Sequence, residues 1–134
     1  MIGSNCFVSV PTFSLSQLNN LSSIVIGSNC FVSVPTFEMS NLTSLVSLTI
    51  GSNSFTKQRD GYGNEVSKSF RVSNCTKLQS IEIGRYSFSD YAGDFELTNL
   101  PLLESIKIGS NSSDSYNFYS SSFIIQSIYC YIYI

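Results

Sequence analysis

The chain reads as a repeat solenoid of parallel strands with little or no helix, and three observations carry that expectation. The segment IGSNCFVSVPTF, residues 2 to 13, returns unchanged at 26 to 37. Ile2, Ile26, Ile50, Ile83 and Ile108 are each followed by glycine, at Gly3, Gly27, Gly51, Gly84 and Gly109; the spacing is about 24 residues in most copies, the range of arrays whose repeat is one coil. No stretch holds the ten or so residues of helical-period apolar pattern that a convincing helix needs.

Each unit opens with a short strand. In Leu48-Thr49-Ile50 the alternation turns Leu48 and Ile50 inward and Thr49 outward. The glycine that follows sits where a Cβ would crowd the neighbouring coil. Next comes an Asn column, Asn5, Asn29, Asn53 and Asn111, expected to be a buried ladder, because an amide has both donors and an acceptor for the backbone groups of a turn. Tyr86 stands in the Asn place of one unit and is expected to interrupt the ladder. The second half of the unit alternates as well, in Phe13-x-Leu15, Phe37-x-Met39, Phe70-x-Val72 and Phe95-x-Leu97, each followed by Leu18, Leu42, Cys75 or Leu100. These runs predict a second short strand per unit.

Leu45, Leu48, Ile50, Asn53 and Phe55 spell LxxLxIxxNxF, and Leu21, Ile24, Ile26, Asn29 and Phe31 spell LxxIxIxxNxF. The pattern returns at Leu78, Ile81, Ile83 and Phe88, and at Leu103, Ile106, Ile108 and Asn111, where Ser113 takes the last apolar place. Ile125, Ile128 and Cys130 read as a worn final strand. The chain here resembles the leucine-rich repeat family, whose core motif is LxxLxLxxNxL. The resemblance implies a right-handed solenoid with a parallel sheet on its concave side. The convex side is expected to hold short strands or irregular backbone. The Phe content and the Asn-Leu or Asn-Cys turns also resemble surface repeat proteins of bacteria and protists, which implies a cell-surface or extracellular, adhesive role.

One domain is expected over 1–134, with about five coils and an insertion loop at 56–68, TKQRDGYGNEVSK, that lengthens one unit by about nine residues. A single coil cannot close a core, so the units must stack. No polar capping unit is visible at Met1 or Ile134. Either the chain is a fragment of a longer array, or its uncapped terminal coils are covered by a partner, end-to-end self-association included. Met1 runs directly into a repeat unit without a basic and apolar segment, so no signal peptide is expected in this sequence. The apolar run 123–134 is too short for a transmembrane helix and is expected to be a last strand.

Hydrophobic residues make up 43% of the chain and charged residues 12%, which suits a folded array. Up to Ile50 the only charged side chain is Glu38. A net charge of −2 without a basic cluster leaves no electrostatic footprint for nucleic acid. With no His there is no imidazole base for a Ser or Cys nucleophile, no glycine loop matches a nucleotide cradle, and no carboxylate pair falls in a predicted cleft. The chain therefore reads as a non-enzyme without cofactors.

The four cysteines are not in metal-ligand spacing. Cys6 and Cys30 hold equivalent places in adjacent coils, about 5 Å apart and within disulfide range. Serines replace them at Ser54, Ser87 and Ser112, and free thiols are the expectation. Asn20, Asn41, Asn74 and Asn111 match the glycosylation acceptor pattern, of which about three matches arise by chance in so Ser- and Thr-rich a chain.

Candidate binding residues lie on the outward side of the first strands. Ser23, Ser47, Ser80, Ser105 and Ser127 form one column and Val25, Thr49, Glu82 and Lys107 the next, a hydroxyl-bearing surface for a polypeptide or glycan. Against this, serine is a small residue tolerated on any crowded face, and Glu82 and Lys107 are expected to pair with each other. In the insertion Asp60, Asn64 and Glu65 surround two glycines, but their spacing does not match a Ca²⁺ loop, and a mobile polar hairpin with Tyr62 at its tip is expected. The functional expectation is a protein or glycan interaction module, by resemblance; the alternative is a structural spacer or partial array without binding activity of its own.

Overall fold

The computed structural model describes residues 1–57, 63–110, 114–126 and 131–133. Among these there is no helix, and ten strands form two five-stranded parallel sheets. The chain alternates between them, so that each unit adds one strand to each sheet. One sheet contains β1 (Ser14–Leu15), β3 (Thr36–Ser40), β5 (Ser69–Ser73), β7 (Asp94–Thr98) and β9 (Ser122–Gln126) in that order. The other contains β2 (Ser23–Ile26), β4 (Ser47–Ile50), β6 (Ser80–Ile83), β8 (Ser105–Ile108) and β10 (Tyr131–Tyr133). They are called below the phenylalanine sheet and the serine sheet.

Register follows the sequence columns. Ser23, Ser47, Ser80 and Ser105 are aligned across the serine sheet, as are Ile26, Ile50, Ile83 and Ile108. Phe37, Phe70, Phe95 and Phe123 are aligned across the other. The inward residues of both sheets meet in one hydrophobic cluster that runs from Ile24 to Phe118.

Two columns of phenylalanine stand at the centre of that cluster. Phe7, Phe31, Phe55, Phe88 and Phe118 stack at ring separations of 5.3, 5.2, 4.8 and 4.9 Å. Phe13, Phe37, Phe70, Phe95 and Phe123 form the second column, at 5.0, 4.7, 5.0 and 4.6 Å. The columns meet edge to face, as in Phe37 against Phe55 and Phe70 against Phe88. Rings thus pack in both favoured geometries at once, which suits their quadrupoles. Phe7, Phe31, Phe55, Phe88 and Phe118 have φ between 50° and 61°, a left-handed conformation costly for a bulky side chain. The rings held in the stack compensate for that strain.

Gly27, Gly51 and Gly84 are close-approach positions. A Cβ at Gly51 would stand 2.6 Å from the Ser28 nitrogen and 2.7 Å from the Gly27 carbonyl carbon, both backbone atoms that cannot yield. Gly51→Ala is expected to cost about 1–3 kcal/mol by overpacking. Gly3→Ala, whose Cβ would meet nothing nearer than the Cys6 sulfur at 4.0 Å, should change stability by less than about 0.5 kcal/mol. Urea midpoints of the two variants measure the difference, and equal shifts would refute the close-approach role.

The last described unit departs from the expected register. The Phe column continues at Phe118, and Tyr116, with φ 47°, takes the place assigned to Asn111. Asn111 and Ser113 lie outside the described residues. Ile125 belongs to the phenylalanine sheet, paired with Leu97, so it is not part of a final serine-sheet strand. The strand aligned there with β8 is β10, in which Tyr131 faces Ser105; Ser127, Ile128 and Cys130 lie outside the described residues. The apolar terminal run therefore contributes a strand to each sheet.

Candidate binding face and the buried polar groups

The outward side of the serine sheet collects most of the residues singled out from the sequence. Ser47, Ser80 and Ser105 form one row with Ser23, and Thr49, Glu82 and Lys107 form the next with Val25. The serines and Thr49 are half-buried between neighbouring strands, except Ser23, which is exposed. Ser47 Oγ donates to Ser23 Oγ at 3.0 Å. Lys107 Nζ reaches Glu82 Oε1 at 3.0 Å, the pairing expected of adjacent coils, and both side chains are about half exposed. Such an exposed pair contributes about 0–1 kcal/mol. Tyr62 and Asp60 lie outside the described residues.

The Asn column is not the buried ladder expected from the sequence. Asn5 is exposed, and Asn29 and Asn53 are half-buried. All three occupy the left-handed region, at φ 58–60°, which Asn tolerates better than most residues. Asn29 Nδ2 donates to Asn5 Oδ1 at 3.1 Å, so these two amides join side chain to side chain at the rim of the turn. Tyr86 adopts the same conformation at φ 62°, and its amide donates to Ser115 O at 2.9 Å. Backbone pairing therefore continues through the expected interruption.

The buried ladder sits one residue further along. Ser54 Oγ accepts the Cys30 N–H at 3.1 Å and donates to the Gly27 carbonyl at 2.9 Å. Ser87 Oγ repeats this one coil on, accepting from Ser54 N at 2.9 Å and donating to Gly51 O at 2.6 Å. Cys30 does the same with sulfur, toward Cys6 N at 3.4 Å and Gly3 O at 3.1 Å. In the last described unit Asn117 donates to Gly84 O and Ser87 O, each at 2.8 Å. Cys6, Cys30 and Cys75 are free thiols. Burial pushes the Cys75 thiol up, partly opposed by the Leu42 backbone hydrogen bond. The alternation of Cys and Ser in one column was the available signal, since both are small groups able to donate and accept. Ser54→Ala would strand a buried N–H and a carbonyl and is expected to cost about 1–3 kcal/mol. Ser54→Cys should retain most of the stability, and thermal unfolding that ranks Cys below Ala would contradict the ladder.

A second Asn rim follows the phenylalanine sheet. Gln17, Asn41, Asn74 and Asn99 have φ between 51° and 58°, and Asn99 Nδ2 donates to Asn74 Oδ1 at 2.8 Å. The repeated Asn-Leu and Asn-Cys pairs thus mark a turn that requires this conformation.

The two ends of the insertion are anchored inside the fold. Thr56 and Lys68, its two ends, are buried. Thr56 Oγ1 and Ser89 Oγ are 3.0 Å apart. Lys68 Nζ lies 2.6 Å from Asp90 Oδ2, which also accepts the Lys57 N–H at 3.1 Å. Asp90 is fully buried and its Oδ1 has no hydrogen-bond partner. Beside it Tyr91 donates from its hydroxyl to Val34 O at 2.7 Å. Burial, with the Asp90 charge adding to it, pushes the Tyr91 phenol far above its usual range and keeps it a donor. Nothing in the local pattern of SDYAGD announced this cluster.

Comparison with protein-family models, curated proteins and solved structures finds no match to this chain. A groove of about 360 Å³ is lined by Ile108, Ser110, Asp114, Tyr116, Asn117 and Tyr119 among others. Tyr86 and Tyr116 stack at 6.1 Å, Tyr119 meets Tyr116 edge-on at 6.0 Å, and the Arg85 guanidinium lies 4.4 Å from the Tyr86 ring centroid. The match of Asn111 to the motif conceals this aromatic wall in the sequence, because the column residues of this unit are Tyr116 and Phe118. Among the described residues no group of three His, Cys, Asp or Glu is placed to hold a metal, and no helix is long and apolar enough to cross a membrane.

Proposed function

We propose that the chain is a leucine-rich-repeat-like solenoid that serves as an interaction module for a polypeptide or glycan. The observation that supports this most is the register of the serine sheet, which sets rows of hydroxyls and one charged pair at regular strand spacing on a single face. An extended partner laid across the strands would meet a serine hydroxyl at every step of one row, and many modest hydrogen bonds would add. The tyrosine-walled groove offers, separately, exposed rings of the kind that stack on sugar faces or peptide side chains.

The competing reading, a structural spacer, draws on the internal pairing of the same face, where Ser47 bonds Ser23 and Lys107 bonds Glu82. Exposed apolar side chains in the outer units, Phe7 and Val8 in the first and Tyr119 and Phe123 in the last, also favour continuation by further coils or a second copy. A peptide and glycan array run on residues 1–134 with Ser80→Arg and Tyr62→Ala variants separates the two. Binding weakened at least tenfold by Ser80→Arg is the expected result. Undiminished binding in both variants removes the face and the loop, and absence of any binding by a monomeric, cooperatively unfolding chain favours the spacer.

A further inference from the structure

We propose that Lys68 and Asp90 condense to an intramolecular isopeptide bond that ties the base of the 56–68 insertion to the following unit. The reacting groups are already in contact, with Nζ 2.6 Å from Oδ2, and both side chains are buried, at 5% and 1% exposure. Groups held in this way react as if at an effective concentration of up to about 10⁵–10⁸ M. An aromatic ring stands beside the pair. Nζ lies 5.8 Å from the centre of the Tyr91 ring, which packs edge-on against Phe88.

The ionic form is a poor resident of this site. Burying two charges costs several kcal/mol per ion unless the geometry is good and the remaining lone pairs are satisfied. Asp90 Oδ1 is buried and unpartnered, so the second condition is not met. Condensation removes both charges and the orphan oxygen together.

The two carboxyl oxygens are already distinguished. Oδ2 accepts the Lys57 N–H at 3.1 Å, a bond that polarises the carbonyl and persists when Oδ2 becomes the amide oxygen. Oδ1, which nothing holds, is the oxygen that leaves. Glu65 supplies the proton relay, with its Oε1 3.7 Å from Nζ and its side chain half exposed and able to swing. The ammonium yields a proton to Glu65, the amine attacks Asp90 Cγ, and two of the three ammonium protons end on Oδ1. The C–Oδ1 bond breaks, the Nζ–Cγ bond forms, and ammonium plus carboxylate become amide plus one water. No oxidant, metal or external donor takes part, and Glu65 returns to its starting state.

Intact-mass spectrometry of the purified chain tests this directly. The expected mass is that of the sequence less one water, with the loss absent in Lys68→Arg and Asp90→Ala. Trypsin should release one branched peptide in which residues 60–71 are joined to residues 86–107. Glu65→Gln should slow the water loss at least tenfold after refolding, while circular dichroism shows an unchanged fold. A full-length mass equal to that of the sequence overturns the proposal without reference to any variant. So does a water loss confined to a single tryptic peptide, which Asp60 beside Gly61 would give by imide formation. A cross-link that forms at the same rate in Glu65→Gln overturns the relay.

Discussion

Phe88→Ala is expected to destabilise the chain by about 3–5 kcal/mol, a large part of the stability available to an array of this size. Phe88 is fully buried and stacks on Phe55 at 4.8 Å and on Phe118 at 4.9 Å. It also meets Phe37, Phe70 and Tyr91 edge-on, so its removal opens a cavity lined by rings of four successive units. Relaxation cannot fill that space, because each neighbouring ring is held by its own column. Phe88→Leu, which keeps more of the volume, should cost less. Phe7→Ala, at the exposed end of the same column, should cost least, and the left-handed backbone at these positions affects all three in the same sense. Chemical denaturation with a common slope ranks the set. A Phe7 variant as damaging as the Phe88 variant would show that the column is not the source of the stability.

Asp90→Ala carries the second large effect, again about 3–5 kcal/mol, because it strands a buried cation. Whether the pair stands as ions or as the amide proposed above, the variant leaves the Lys68 ammonium inside the core with Glu65, among the described carboxylates, 3.7 Å away. It also removes the acceptor of the Lys57 N–H and loosens the far end of the insertion. The double variant Lys68→Met, Asp90→Leu fills the same space without charge and should recover more than half of the loss. Thermal unfolding of the single and double variants decides the matter. If the two melt together, the damage comes from lost packing and not from an unpaired charge.

These two positions show how differently parts of the molecule can be read from its sequence. Phe88 lies in a column visible in the repeat, because equivalent residues recur at a fixed distance from the Ile-Gly step. Asp90 has no counterpart in the other units. Its partner Lys68 lies 22 residues earlier, across the insertion, where no periodicity constrains the chain. The same limit explains the last described unit. An extra stretch after Gly109 shifts the column residues to Tyr116, Asn117 and Phe118, and the local match of Asn111 to the motif pointed to the wrong residue. The buried ladder was misplaced by one position for a related reason. Asn is the conspicuous polar residue of the turn, but its left-handed backbone directs the amide to the rim, and the adjacent Cys or Ser turns inward.

The sequence by itself determined the strand content, the two strands per unit, the inward and outward faces, and the Ile-Gly and Phe columns, because each depends on alternation within a few residues and on a repeat that multiplies the signal. It also placed Ser47, Thr49, Ser80, Glu82, Ser105 and Lys107 on one face, since strands in register carry equivalent positions side by side. Only the tertiary structure decided which polar side chains are buried, how the tyrosine groove is assembled, and that Lys68 meets Asp90. Those contacts join residues distant in the chain across segments of unequal length, and their geometry is set by how one repeat unit seats on the next.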